Sequence, residues 1–280
     1  MRFGVSTHLY HDRRLEQDHL AQVAGFGFDA IELFATRSHF DYRDEAAIAQ
    51  LKDWLAATEL SLHGVHAPIT ERFGAGDVWS ATYSNAVTDE ARRRVAVEET
   101  IAALQIARQI PFEVVVVHLG TPASKRNPGD NNRSAAVRSL AEICQAAEPL
   151  GVRVAAEVIP NPISDASSLA SMLERDVEFK HAGICFDFGH AHMLGDVADA
   201  IEIAAEHVIT THVHDNHGRE DEHLVPFLGS IDWDAALITM QKIGYGGTYL
   251  MELAGTGGPA AILAEARRAR QRFERTLTSS

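Results

Sequence analysis

The chain has 280 residues, 46% hydrophobic and 23% charged, an ordinary balance for a water-soluble globular protein. Its 39 acidic and 25 basic side chains give a formal charge of −14; long-range repulsion makes nucleic acid an unexpected partner, although a local basic cleft stays open. No apolar run reaches about 18 residues and the chain opens on a strand rather than a leader, so no membrane span and a cytoplasmic location are expected.

Residues 3–8 read as a buried strand and 15–26 as a helix closed by the turn at Gly27. Residues 29–34 are the second expected strand. Helix 45–58 follows, with Ile48, Leu51 and Leu55 at three- and four-residue spacing. The third strand, 60–66, is closed by Ala67 and Pro68. Residues 69–87 lack a clean period and carry Phe73, Gly74, Gly76, Trp79 and Tyr83. A loop this long inside a compact domain is either a functional lid or a surface insertion. Thr88 is the expected cap of the next helix, with Asp89 and Glu90 in its acidic first turn. Val97, Ile101, Leu104 and Ala107 form its apolar face, while Arg92, Arg93 and Arg94 read as a solvated one.

Residues 113–118 are an unbroken apolar run up to His118, as in a strand covered on both faces. A loop over 120–132 follows, with Lys125 and Arg126 in it and Arg133 at its end. Helix 134–148, strand 152–157, helix 166–174, strand 183–187, helix 197–206 and strand 208–214 continue the alternation. Asp232 caps a helix that buries Trp233, Leu237 and Met240; strand 247–252 and helix 260–272 end it. Cys144 and Cys185 fall in a helix and a strand, without zinc-finger spacing, and are expected as buried, reduced thiols. Eight strand–helix alternations without a long linker imply a parallel sheet. Eight units imply closure as a single (β/α)8 TIM barrel over residues 1–280, with its active site at the C-terminal strand ends. An open doubly wound sheet is the rival, but no Gly-rich phosphate loop follows the first strand.

The strand ends carry the chemistry. Six of them finish an apolar run with His66, His118, Glu157, Asp187, His214 or Glu252. Burying such groups is costly, roughly 2–7 kcal/mol for an unpaired neutral polar group. A divalent cation compensates economically, because Asp, Glu and His supply oxygen and nitrogen ligands. One such His alone reads as a satisfied core residue; six coincident strand ends read as a metal site. His190, Asp221 and His223 add further ligands from the loops. His212 shares the face of His214 one layer deeper and reads as a hydrogen-bonded interior residue. His217 and Arg219 are placed either against substrate or on the surface; His8 and Glu32 are candidate pocket walls. His63 and His192 read as structural.

At these residues the chain resembles the xylose-isomerase-like TIM-barrel superfamily, which holds sugar isomerases and epimerases, inosose-type enzymes and endonuclease IV. The resemblance spans nearly the whole chain. It is carried by Val115-Val116-Val117-His118, Ala156-Glu157, Asp187-Phe188-Gly189-His190, and His212-Val213-His214-Asp215-Asn216. Further carriers are Asp221-Glu222-His223 through Asp232-Trp233 and Gly244-Tyr245 through Met251-Glu252.

By that resemblance, the isomerase branch implies one divalent metal (manganese, zinc, cobalt or magnesium) on Glu157, Asp187, His214 and Glu252. Glu157 and Glu252 then serve as acid and base beside a substrate carbonyl, through a metal-stabilised enediolate, and His190 holds a substrate oxygen. The region Asn216-His217-Gly218-Arg219 departs from the pattern of ketohexose epimerases. The endonuclease IV branch implies up to three zinc ions on His66, His118, Glu157, Asp187, His190, His214, Asp221, His223 and Glu252. Here Glu157 is followed by Val-Ile-Pro-Asn and Asp187 by Phe-Gly-His, both departures from that branch. The expectation is a metal-dependent isomerase or epimerase for a small carbohydrate, with a dehydratase or lyase using the same intermediate. A phosphodiesterase on abasic DNA and a metal-stabilised binding protein are the alternatives. Lys125, Arg126, Arg133 and Arg219 could each meet a substrate phosphate, and the outer helices leave homo-oligomers open.

Overall fold

The structure, a computed structural model, describes residues 2–71, 82–122, 129–175 and 181–278. Phe73, Gly74, Gly76 and Trp79 of the expected lid, and the cations Lys125 and Arg126, lie outside the described residues. The strands are β1 (Arg2–Ser6), β2 (Ala30–Phe34), β3 (Ser61–His66), β4 (Val114–Val117), β5 (Arg153–Glu157), β6 (Ala182–Asp187), β7 (Val208–Val213) and β8 (Thr248–Met251). They pair in chain order, all parallel, and β8 returns to β1, closing the barrel. The expected (β/α)8 architecture is therefore the one observed. Among the described residues, no helix is long and apolar enough to cross a membrane.

The helices are α1 (Gln17–Gly25), α2 (Glu45–Thr58), α3 (Glu90–Leu104), α4 (Arg133–Ala147), α5 (Ala166–Arg175), α6 (Phe188–Leu194), α7 (Val197–Ala204), α8 (Trp233–Lys242) and α9 (Pro259–Thr278). Short polar side chains start most of them. Asp44, Asn132, Asp196 and Asp232 each accept a backbone N–H of the first turn, so an otherwise orphaned donor is satisfied. Asp89, not Thr88, caps α3, because its carboxylate reaches the Arg92 N–H at 2.9 Å. Helix α6 was not expected. Asp187, the last residue of β6, caps it by accepting the His190 N–H at 2.7 Å, so the chain turns into helix at the strand end.

The two faces of each strand differ. Val115 and Val117 join the large core beneath the helices. Val114 and Val116 join Ala155 and Cys185 in a separate small cluster, which fills the barrel between the strands. Glycines keep that interior narrow. A Cβ on Gly4 would lie 2.9 Å from the Leu250 side chain, and one on Gly64 would lie 2.9 Å from Val114. Cys144 and Cys185 are buried and free.

Two irregularities set the register. Between β2 and β3 it shifts at Ile31/Glu32, and between β6 and β7 at Ile184/Cys185. Such bulges re-aim side chains. The second places His212 directly beside Asp187.

Gly183, at the start of β6, tests the tightness of this packing. A Cβ there would sit 2.6 Å from the Ile209 side chain and 2.8 Å from the His207 carbonyl oxygen. Because backbone cannot step aside as a side chain does, Gly183→Ala is expected to cost roughly 1–3 kcal/mol. Chemical denaturation should show a lower midpoint with an unchanged slope; an unchanged midpoint would contradict this packing.

Candidate metal centre

The polar strand ends converge at the C-terminal mouth of the barrel. Glu157, Asp187, His212 and Glu252 have ligand atoms within 4.8 Å of one another, and all four are buried. His212 Nδ1 lies 3.3 Å from Glu252 Oε2, 3.4 Å from Glu157 Oε1 and 3.8 Å from Asp187 Oδ2. On sequence, His214 is expected in this group and His212 as a hydrogen-bonded interior residue. The observed register gathers His212 there instead, level with Asp187. His214 lies one step further along. Its Nε2 is 3.0 Å from Asp187 Oδ1 and 3.8 Å from Asp221 Oδ1.

The remaining expected residues flank this group on two sides. His66 and His118 approach Glu157 Oε2 at 3.2 and 2.9 Å. On the other side, His190 and His223 each place Nε2 3.2 Å from Asp221 Oδ2. Most of these rings are held by their second nitrogen. His66 Nδ1 bonds the Ala67 carbonyl, His190 Nδ1 the Val158 carbonyl and His223 Nδ1 the Glu252 carbonyl, at 2.8, 2.9 and 3.1 Å. Carbonyl oxygens only accept, so each bonded nitrogen carries a proton, and the other nitrogen is the one that faces the carboxylates and would be free to meet a cation. Ligating histidines are oriented in this way.

Electrostatics follow from the crowding. Burial opposes charge on Glu157 and Asp221, yet neighbouring imidazoles hold both carboxyls well below their usual range. Burial likewise opposes charge on His190 and His223. Asp187 and Asp221 push His190 well above its usual value, and Asp221 raises His223 to about 9. The site thus demands positive charge. Among the buried imidazole nitrogens without a hydrogen-bond partner are His212 Nδ1 and His214 Nδ1. Converging carboxylates with an orphaned imidazole nitrogen among them fit a divalent cation.

A cavity of about 450 Å³ opens above the cluster, bounded by Glu157, Glu252, His190 and Asp221 and by the apolar Phe34, Ile69 and Met193. His8 lines it, as expected, and so does Arg219, which the sequence leaves open between substrate and surface. Glu32 does not; it is buried beneath, bonded to His212. His217 pairs with Glu222, His192 with Ser230 and His63 with Thr210. Arg133 opens α4 and donates to the Ser168 carbonyl, away from the cavity lining.

Asp215 fixes the loop that carries Asp221 and His223. It is fully buried and accepts N–H groups from Asn216, Phe227, Ile231 and the Trp233 indole, the last at 2.8 Å. A Cβ on Gly229 would fall 2.3 Å from Asp215, so the loop needs glycine there. His223 sits at φ 48°, an uncommon conformation for a non-glycine, with its carbonyl accepting the Ala254 N–H. Asp215→Ala would orphan several buried donors and is expected to cost about 3 kcal/mol or more. Denaturant melting checks this, and a loss under about 1 kcal/mol would show that the carboxylate is replaceable.

Known proteins share this frame. An uncharacterized protein of Methanocaldococcus jannaschii is 31% identical over 265 residues, covering 90% of this chain and 83% of that protein. An inosose isomerase of Bacillus licheniformis is 26% identical over 179 residues, 59% of this chain and 62% of its own. The crystal structure of a D-tagatose 3-epimerase-like protein superposes with a TM-score of 0.81 at 26% identity, covering 100% of this chain and 99% of that one. The family model described as a xylose isomerase-like TIM barrel matches residues 20–273, and the chain belongs to that family.

Proposed function

We propose that this protein is a divalent-metal-dependent isomerase or epimerase that acts on a small carbohydrate by moving a proton beside a carbonyl. The observation that carries the reading is the buried group Glu157, Asp187, His212 and Glu252 beneath a cavity of about 450 Å³. A divalent metal held by these four would polarise the substrate oxygens. Glu157 at the end of β5 and Glu252 just after β8 reach the cavity from separate strands. Two such carboxylates can remove and return a proton at one carbon. His190 reaches the cavity beside Asp221 and holds a substrate hydroxyl. Phe34, Ile69 and Met193 keep one wall apolar, which limits water at the exchanging carbon. Relatives named as an inosose isomerase and a tagatose 3-epimerase-like protein support this chemistry.

One observation favours a second reading. Glu157 also belongs to a group with His66 and His118, and Asp187 to one with His190 and His214; His214 in turn joins Asp221 and His223. Linked clusters of this kind suit up to three metals and phosphodiester hydrolysis. The −14 charge and a cavity whose sole Lys or Arg among the described lining residues is Arg219 weigh against a DNA duplex.

A panel of ketoses and inososes, free and phosphorylated, incubated with metal-loaded protein in heavy water decides between them. Deuterium should enter the carbon beside the carbonyl, and Glu157→Gln or Glu252→Gln should slow this by roughly 10²–10⁴-fold. Full exchange by either variant would contradict the roles given to these carboxylates. Salt-sensitive binding and cleavage of abasic duplex DNA, without exchange on any sugar, would establish the second reading instead.

A further inference from the structure

We propose that Glu32 is a positioning residue for the metal centre, acting through His212. The inference rests on the reading of the Glu157, Asp187, His212 and Glu252 group as a metal site. Glu32 belongs to β2, three strands round the closed barrel from β7, and its side chain is fully buried. Its Oε2 lies 3.1 Å from His212 Nε2, and its Oε1 accepts the Ser6 hydroxyl at 3.3 Å.

A carboxylate facing Nε2 can only accept, so the His212 proton sits on Nε2. Nδ1, which faces Glu157, Asp187 and Glu252, is then the nitrogen whose lone pair a cation would take. That nitrogen is the one left buried without a hydrogen-bond partner. If the proton were on Nδ1 instead, Nε2 would oppose the Glu32 carboxylate with a lone pair, and the ring would have nothing to give a cation.

The fold is shaped to put Glu32 there. The register shift at Ile31/Glu32 brings Glu32 opposite Gly64 rather than His63. A Cβ on Gly64 would stand only 3.7 Å from Glu32 Oε2, so a larger side chain would crowd the carboxylate. Glu32 is absent from the cavity lining, which separates its role from substrate contact. The arrangement is a carboxylate–histidine–metal relay, in which the outer carboxylate fixes the tautomer, aims the ring and raises the basicity of the ligand.

Calorimetric titration of zinc into metal-free protein tests this, comparing wild type with Glu32→Gln. The variant keeps the shape and removes the charge. Its affinity is expected to fall about 10–100-fold, with a metal-free melting curve that still shows a folded protein. Equal affinity overturns the role of Glu32 while leaving the metal site intact. Absence of zinc, manganese or cobalt binding in the wild type itself overturns the metal reading, and this inference with it. Nitrogen-15 spectra of the zinc-loaded wild type give a readout that needs no variant. His212 should carry its proton on Nε2 and bind through Nδ1; a proton on Nδ1 contradicts the proposal.

Discussion

The structure depends on one constraint, the gathering of buried carboxylates at a single end of a closed barrel. Glu32, Glu157, Asp187 and Glu252 are each buried, and Asp221 closes over them from a loop. Carboxylates at such separations repel strongly where water is scarce. Everything around them answers that repulsion. Six imidazoles, from His66, His118, His190, His212, His214 and His223, interleave with the acids. Several are tied by one nitrogen so that the other faces inward. A cation at the centre is the remaining element that such a set calls for.

The demands of that centre reach into the scaffold. The barrel interior is narrow and glycine-lined on the side where Glu32 lies, and Val114, Val116, Ala155 and Cys185 form a small apolar cluster of their own. Asp187 serves twice, as a member of the cluster and as the cap of α6, so the same carboxylate fixes His190 three residues later. Asp215 is also a buried acid, but a different kind. Backbone and indole donors satisfy it, and its product is the shape of the loop that delivers Asp221 and His223.

The fold was legible because parallel barrel strands are covered on both faces and read as apolar runs, as 113–118 does. Most of the site was legible for the same reason, since Glu157, Asp187 and His66 interrupt such runs at their ends. What the sequence did not reveal was register. His212 and His214 share a face, and the shift at Ile184/Cys185, which sets His212 rather than Thr211 level with Asp187, leaves no mark in the strand's own pattern. The role of Glu32 was hidden likewise, because its partner His212 is 180 residues away. Helix α6 was missed because seven residues are too few for a clear period, although Asp187 followed three residues later by His190 marks its cap.

Anomalous X-ray diffraction from crystals of the metal-loaded protein, recorded at the absorption edge of the bound metal, tests the central claim most directly. A peak is expected among Glu157, Asp187, His212 and Glu252, with His212 coordinating through Nδ1. Anomalous density that leaves this group empty, with metal only elsewhere on the protein or nowhere, would contradict the account.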